Sequence, residues 1–155
     1  LTRCKVALVD DVDFNWLSAY NWCAIKGYSS WYAVRGICNN GINIGVRMHR
    51  EILGLTKEDS TQVDHIDSNG LNNQRANLRT CTRQENSRHQ KPRAPHYYKG
   101  VRQNNTKGRF YAYITVNGKR EHLGAFDTAY EAAMAYDAAA RLYFGEFALT
   151  NFKQQ

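Results

Sequence analysis

The sequence predicts an α+β protein built in two parts, and three features of its 155 residues support this prediction. Runs in which apolar and polar residues alternate, the pattern of half-buried strands, occur in both halves of the chain. A long alanine-rich run with helical character follows the last of them. Both prolines fall in one polar stretch, "HQKPRAPHYY", which is the best linker candidate. We therefore predict a first domain over residues 1–90, a linker at 91–96 and a second domain over 97–155.

The first part begins with a strand-rich region. A short strand is predicted in "KVALV", before a helix that begins at the acidic residues 11–13. "SSWYAVRG" and "INIGVRMH" predict two strands joined by an Asn-Gly turn. The second of these strands should bury one face, made of Ile42, Ile44, Val46 and Met48. "REILGL" then predicts a short helix that ends at Gly54.

Residues 61–90 predict a strand, a loop, a second strand and a helix. "TQVDHI" and "NLRTC" are the strands, and "DSNGLNNQRA" between them is rich in Asn and Gly, which favour turns. "TRQENSRHQ" begins a helix in which Thr82 and Glu85 form a capping box. In so compact a unit, Asp64 and His65 at the end of the first strand can converge with Asn86, which lies about one turn into the helix.

These three side chains suit the hydrolysis of a phosphodiester. A neutral imidazole at His65 is a general base that can deprotonate water. The carboxylate of Asp64 and the amide oxygen of Asn86 are ligands of the kind that Mg²⁺ prefers, and a metal there would neutralise developing charge.

The same stretch resembles the HNH nuclease motif, in the His-Asn-Asn form of phage and intron homing endonucleases. The resemblance rests on ordered spacing: "DH" at 64–65, "LNN" at 71–73, "ANLR" at 76–79 and "TRQEN" ending at residue 86. It implies a ββα-metal HNH nuclease unit over about residues 61–90, with His65 as the general base. Asp64 and Asn86 would bind the divalent metal, Mg²⁺ or else Mn²⁺. Asn77 would hold the loop so that the His65 ring stays in place.

Two other histidines receive no ligand role. Some relatives carry a further His at the position of Gln90, but His89 is one residue short of that place, and we expect it on the helix surface. His49 lies between a strand and a helix, where an imidazole can cap the helix or fill a gap. The alternative for this region is a phosphate contact from Arg47, His49 or Arg50.

The second part predicts three strands and one helix. "GRFYAYITV" alternates, with four apolar side chains on one face: Phe110, Ala112, Ile114 and Val116. An Asn-Gly turn in "VNGK" leads to a third strand, and the helix has a capping box from Thr128 to Glu131 and a stop at Gly145. The alanines allow close packing on one sheet face. The other face is basic and aromatic, and such a face can enter a DNA major groove.

This second part resembles the plant ethylene-response-factor (APETALA-type) DNA-binding domain. "YKGVR", "LGAF", "EAAMAYDAAA" and "NF" carry the resemblance over nearly its full length. It implies six DNA-reading side chains: Arg102, Arg109, Tyr113, Thr115, Arg120 and His122. The plant domains commonly have Arg and Trp where this chain has Thr115 and His122, so the plant base preference is not expected.

The net charge of +7 is concentrated in the middle of the chain. Residues 61–123 hold 12 Lys or Arg against 4 Asp or Glu, a balance of +8, while residues 1–60 balance at +1 and residues 124–155 at −2. A local basic excess suits a polyanionic partner. No apolar run approaches the roughly 20 residues that span a bilayer. The four well-separated cysteines are expected to be free, buried and inert, as in a reducing compartment, so we expect a cytoplasmic protein of a bacterial or phage-infected cell.

Together these features predict a metal-dependent DNA endonuclease of the homing type that acts on double-stranded DNA. One motif provides one active site, so a monomer is expected to nick a single strand, without a small-molecule cofactor or a membrane partner. Two alternatives stay open at this point. One is a non-catalytic, sequence-specific DNA-binding regulator that uses the second domain alone, and the other is an RNA-binding accessory protein.

Overall fold

The computed structural model describes residues 1–90, 98–104 and 108–152, and the chain forms two compact units, Leu1–Asn86 and Ser87–Gln155. The predicted α+β class is confirmed. The predicted linker at 91–96 lies outside the described residues. In the part of the chain that the structure describes, no helix is both long enough and apolar enough to cross a membrane.

The first unit contains a three-stranded antiparallel sheet, a two-stranded hairpin, two helices, a 3-10 turn at Arg75–Asn77 and most of a third helix. The sheet has the order β1-β2-β3, and the hairpin pairs β4 with β5. In chain order the elements are α1 (Asp11–Ser18), β1 (Cys23–Lys26), β2 (Trp31–Asn39), β3 (Ile42–Arg47), α2 (Met48–Ile52), β4 (Gln62–His65), β5 (Leu78–Cys81) and α3 (Arg83–Arg88).

Several predicted elements of the first unit differ in detail. The strand predicted in "KVALV" is only an isolated bridge from Leu8 to Asn72, because its partner is a loop rather than a strand. Strand β1 was not predicted. Strand β3 ends at Arg47, because the backbone turns into α2 at Met48. The face expected to be buried is incomplete, since the Ile42 side chain beside the turn is 66% exposed.

One apolar cluster joins the sheet, the helices and the hairpin of the first unit. Its buried members are Leu17, Ala33, Met48, Ile52, Leu71 and Leu78. All three tryptophans of the chain pack against this cluster. The hairpin is therefore anchored on the N-terminal region through burial of apolar surface.

The N-terminal segment also bonds to the loop between β4 and β5. Leu8 donates its N–H to the carbonyl of Leu71 at 2.8 Å, and its own carbonyl accepts from Asn73 N at 2.7 Å. The Asp13 carboxylate, 1% exposed, accepts from the Arg75 guanidinium at 2.7 and 2.8 Å. That hydrogen bonding holds the pKa of Asp13 below its usual value, despite the opposing effect of burial. Residues from the start of the chain therefore fix a loop that lies more than 60 positions later.

The second unit is a three-stranded antiparallel sheet packed on one helix. Its elements are β6 (Val101–Asn104), β7 (Arg109–Val116), β8 (Lys119–Phe126) and α4 (Ala129–Phe144). The predicted capping box and glycine stop of α4 are both present. Three alanines of α4 are fully buried, so the helix packs closely on Ile114 of β7. The turn from β7 to β8 has positive φ at both Asn117 and Gly118, as an Asn-Gly hairpin turn requires.

Two expectations about burial are wrong. Cys4, Cys23 and Cys38 are exposed, because the N-terminal segment and the sheet leave these positions at the surface, and Cys81 alone among the four is buried. His89 was expected on a helix surface but is only 8% exposed. Helix α3 ends at Arg88, so His89 no longer lies on the exposed face of a helix.

Candidate functional site

The β4–β5 hairpin places Asp64 and His65 on opposite faces. Successive side chains of a strand point to opposite sides, and directly opposed residues on paired strands share a side. Asp64 is opposite Arg79, whereas His65 is opposite Leu78 in the apolar cluster. The two adjacent residues therefore have different surroundings: one face carries the proposed base and the other the proposed metal ligand.

The His65 ring is buried and fixed by Asn73. His65 is 5% exposed, and its Nε2 lies 3.3 Å from Asn73 Oδ1. Asn73, which is 0% exposed, donates its own Nδ2 to the carbonyl of Leu71, so its Oδ1 faces His65. The ring must donate Nε2–H to that oxygen, which leaves the lone pair of the neutral ring on Nδ1. Burial lowers the pKa of His65, and this effect outweighs the hydrogen bond that the ring donates to Asn73, so the ring is neutral near pH 7.

Two further rings surround His65. The ring centroid of His49 lies 4.9 Å from that of His65, with the planes at 88°, and the Tyr32 centroid lies 6.0 Å from it. His49 and Tyr32 are themselves 5.8 Å apart, so the three rings form one cluster. Burial lowers the pKa of His49 to about 3, assisted by the nearby charges of His65, Arg47 and Arg50. The expectation that His49 caps the helix or fills a gap stays a prediction, and the structure places its ring beside that of His65.

The Asn77 side chain forms its hydrogen bonds within the loop between β4 and β5. Its Oδ1 accepts from the backbone N–H of Asp67 at 3.0 Å, and its Nδ2 donates to Asp67 Oδ1 at 3.0 Å and to the carbonyl of Asn72 at 2.8 Å. The carbonyl of Asn77 also accepts from Ile66 N at 2.9 Å. One side chain thus closes the loop that follows His65, and its hydrogen bonds go to Asp67 and Asn72.

The two predicted metal ligands lie on the same side of the hairpin. Gln62 and Asp64 are two residues apart on β4 and share a face, and Asn86 Nδ2 donates to Gln62 Oε1 at 2.6 Å. Asp64 Oδ2 accepts from Arg79 Nη2 at 2.7 Å and from Nε at 3.0 Å, with both side chains almost buried. Burial, together with the charges of Asp64 and Glu85, raises the pKa of Cys81 to about 11, so this thiol stays protonated.

The chemistry of this donor set fits a hard divalent cation. A carboxylate and an amide oxygen are suitable ligands for Mg²⁺, which retains several waters and takes few protein ligands. Within residues 1–90, 98–104 and 108–152, no group of three or more His, Cys, Asp or Glu residues is placed to hold an ion. A cation at Asp64 would also compete with the Arg79 guanidinium for the carboxylate.

Sequence reasoning missed three residues of this site. Asn73 entered the sequence prediction only as part of "LNN", although a buried amide can fix the ring of a neighbouring base through a hydrogen bond. Arg79 was noted only within "ANLR", and its pairing with Asp64 depends on a register that spacing does not give. Tyr32 carried no signal beyond a strand pattern.

The open sheet face of the second unit gathers most of the predicted DNA-binding residues. Thr115 is opposite Arg120 and Tyr113 is opposite His122. The Arg120 guanidinium lies 4.3 Å from the Tyr113 ring centroid, and His122 lies 5.1 Å from the same centroid. These contacts place the Arg120 cation against the Tyr113 ring, with the His122 ring beside it.

Three other residues complete or qualify this sheet face. Exposed Arg102 is opposite Tyr111, whose ring centroid lies 5.8 Å from His122, so Tyr111 belongs to the face although it was not predicted. Arg109 Nε lies 3.3 Å from the Asp127 carboxylate. That pair is exposed, so it holds Arg109 only weakly.

Comparisons with known proteins agree with both parts of the chain. The HNH endonuclease model matches residues 55–88, and the AP2 domain model matches residues 97–146. "Uncharacterized HNH endonuclease L560" of Acanthamoeba polyphaga mimivirus is 32% identical over 143 residues, which cover 89% of this chain and 74% of the viral protein. The dehydration-responsive element-binding protein 2A of Oryza sativa subsp. japonica is 51% identical over 57 residues, 36% of this chain and 20% of that protein.

A further plant relative, dehydration-responsive element-binding protein 2D of Arabidopsis thaliana, is 49% identical over 59 residues, 37% of this chain and 28% of the plant protein. The plant relatives match over the AP2 region, whereas the viral relative matches over most of the chain. Both resemblances read from the sequence are thereby confirmed. The chain belongs to the HNH endonuclease family, and it carries an AP2 domain at residues 97–146.

Proposed function

We propose that this protein is a metal-dependent DNA endonuclease of the homing type, which nicks one strand of double-stranded DNA as a monomer. The observation that carries the proposal is the state of His65. Its ring is buried and neutral, it donates Nε2–H to Asn73, and its Nδ1 therefore carries the lone pair that a base needs. A single such site acts on one phosphodiester at a time, which is why nicking is proposed.

In the proposed reaction His65 Nδ1 accepts a proton from the attacking water, whose oxygen bonds to phosphorus while the P–O bond to the leaving sugar oxygen breaks. The imidazolium that forms keeps its Nε2–H···Oδ1 hydrogen bond to Asn73, so the ring does not need to turn during the reaction. Asn77 holds the loop that follows His65, so the base has a fixed position relative to the scissile phosphate. Positioning of this kind supplies much of the rate enhancement in hydrolytic sites.

Asp64 and Asn86 are the proposed ligands of the divalent cation. When bound, a cation such as Mg²⁺ or Mn²⁺ supplies charge that stabilises the developing negative charge on phosphate and leaving group. Asp64 provides the carboxylate and Asn86 the amide oxygen, while Gln62 orients the Asn86 amide through its 2.6 Å hydrogen bond. Arg79 competes for Asp64, and a released guanidinium is itself suited to a phosphate.

The AP2 domain is proposed to recognise duplex DNA. The viral relative is named an HNH endonuclease and the plant relatives are named element-binding proteins, which supports a division of labour between the two parts. The residues proposed to contact DNA are Arg102, Arg109, Tyr113, Thr115, Arg120 and His122, together with Tyr111. Base edges would be read by polar side chains, and phosphates would be held by the arginines.

A plasmid-nicking assay tests the proposal. Wild-type protein with Mg²⁺ or Mn²⁺ should convert supercoiled plasmid to the open circular form. His65→Ala should lower that rate by about 10²–10⁴-fold while DNA affinity stays nearly unchanged, because removal of a general base typically costs this much. His65→Gln serves as the fold control, since its amide can still donate to Asn73 but cannot act as a base.

A non-catalytic DNA-binding regulator is the second candidate. The observation that favours it is the ion pair between Asp64 and Arg79, which engages the proposed metal ligand. The same assay separates the two functions. Metal-independent binding of duplex DNA, with no nicking by the wild type under any divalent cation, would establish the regulator and refute the endonuclease.

A further inference from the structure

His49 lies outside the residues that the HNH endonuclease model matches, yet it contacts the proposed base. The match begins at residue 55, whereas His49 is the second residue of α2. Its ring contacts those of Tyr32 and His65, at centroid distances of 5.8 and 4.9 Å. The surroundings of the base are therefore contributed in part by residues that precede the matched segment.

The His49 ring is held at a cost in stability. The residue is 4% exposed, and its Nδ1 has no hydrogen-bond partner among the described residues. A buried polar nitrogen without a partner loses its hydration and gains nothing in return, whereas an apolar side chain of similar volume avoids the loss. Packing alone therefore does not explain a histidine here. Residues that lower stability but persist beside a reacting group are a common feature of functional sites.

We propose that His49 is a positioning residue that fixes the plane of the His65 ring. The single hydrogen bond from Nε2 to Asn73 does not by itself prevent the ring from rotating about its own Cβ–Cγ bond and leaving Asn73. The planes of the His49 and His65 rings are at 88° to each other, and this edge-to-face contact opposes the rotation. The Nδ1 lone pair of His65 then keeps one direction. This inference rests on the proposed function, because it gives His49 a role through the base.

The charge of His49 is consistent with this role. Burial lowers its pKa to about 3, so the ring is neutral under conditions in which the protein would act. A cationic ring at this place would repel the imidazolium that forms on His65. A neutral one orients its neighbour without opposing the proton transfer.

The test compares His49→Leu with Met48→Leu in the full-length protein. Both changes place leucine at a buried position of α2, but Met48 belongs to the apolar cluster and has no ring contact with His65. His49→Leu should unfold at the same temperature as wild type or higher, bind DNA with unchanged affinity, and nick it at least about tenfold more slowly in single turnovers at saturating DNA. Met48→Leu should nick at the wild-type rate.

A second readout is independent of cleavage. The ¹⁵N chemical shifts of the imidazole report which nitrogen of His65 carries the proton, and they should show one Nε2–H tautomer in wild type and in Met48→Leu. A mixture of tautomers is expected in His49→Leu, because the ring can then rotate away from Asn73. The proposal is overturned if His49→Leu nicks at the wild-type rate, if its rate falls only together with its unfolding temperature, or if Met48→Leu is equally slow. If wild type does not nick, the proposed function fails on its own, and unchanged His65 shifts in His49→Leu would overturn the positioning role as well.

Discussion

Acidification should destabilise the first unit, and His49→Leu should remove part of that loss. In the folded protein the His49 ring has a pKa of about 3, against an ordinary value of 6.5 in the unfolded chain. The cause is burial first, followed by the positive charges that face the ring, from His65, Arg47 and Arg50. Between these two pKa values the unfolded chain binds a proton at His49 that the folded protein excludes. The free energy of unfolding must therefore fall as the pH decreases through this window.

The size of the effect follows from the two pKa values. One extra proton on the unfolded state changes the free energy of unfolding by at most about 1.4 kcal/mol per pH unit. Lowering the pH from about 6.5 to about 4.5 should then decrease the free energy of unfolding by roughly 2–3 kcal/mol through His49. The lowered pKa of His65 acts in the same direction in both proteins. Because the charge of His65 is one cause of the lowered His49 pKa, the difference between the two proteins reports His49 together with its coupling to His65.

Urea denaturation followed by tryptophan fluorescence measures this difference. All three tryptophans, Trp16, Trp22 and Trp31, belong to the first unit, so their emission reports that unit selectively. Curves at a series of pH values from about 7 to about 4.5 should show a shallower decline for His49→Leu than for wild type, while Met48→Leu should follow the wild type. Parallel pH profiles for wild type and His49→Leu would refute the reasoning, because they would mean that the folded His49 titrates as it does in the unfolded chain.

Three other predictions follow from the remaining contacts. Asp64→Ala should raise the Mn²⁺ concentration needed for nicking, whereas Arg79→Gln should lower it by removing the competing charge. A titration of the nicking rate with Mn²⁺ measures both effects, and unchanged midpoints in both variants would exclude Asp64 as a ligand. Arg120→Ala should weaken a preferred DNA site by about 1–3 kcal/mol if the side chain reads a base, or reduce the salt slope for all sequences by about one if it contacts phosphate, and neighbouring Lys119→Ala is the control. Gly100→Ala should destabilise the second unit by several kcal/mol, since φ is +78° and the added Cβ would lie 1.9 Å from a Tyr136 ring atom. Faster amide hydrogen exchange across the second unit would reveal it, and wild-type protection would contradict it.

Much of the fold was predictable because its signals are local. The Asn-Gly turn of the second unit, the capping box that begins α4 and the glycine that ends it depend on neighbouring residues, and all three are present. Strand β1 was missed because four residues between a helix and a turn carry too little alternation to be recognised. The strand expected in "KVALV" failed for the opposite reason: its pattern is strand-like, but its partner is a loop.

The residues of the candidate site also divide into those with a local sequence signal and those without one. Ordered spacing was enough to select Asp64, His65, Asn77 and Asn86 as candidates, since a motif is local in sequence. The partners of these residues are not local. Arg79 meets Asp64 only through the hairpin register, and the His49 ring reaches the base from a helix that precedes the motif. Contacts of this kind depend on how elements pack, and no spacing rule records them.

The proposed base and the proposed metal ligands are held by different residues on the two faces of the β4–β5 hairpin. The face of His65 is turned to the apolar cluster, and its ring is held by Asn73 and His49. Asn73 in turn is bonded through its backbone to Leu8, near the start of the chain. The face of Asp64 is turned to Arg79 and to the side of Gln62 that Asn86 reaches. The base therefore depends on residues before the motif, while the proposed metal ligands depend on the hairpin and α3. Adjacent strand residues cannot exchange faces without a shift in register. The contacts that hold His65 and those that hold Asp64 therefore stay on separate faces of the hairpin.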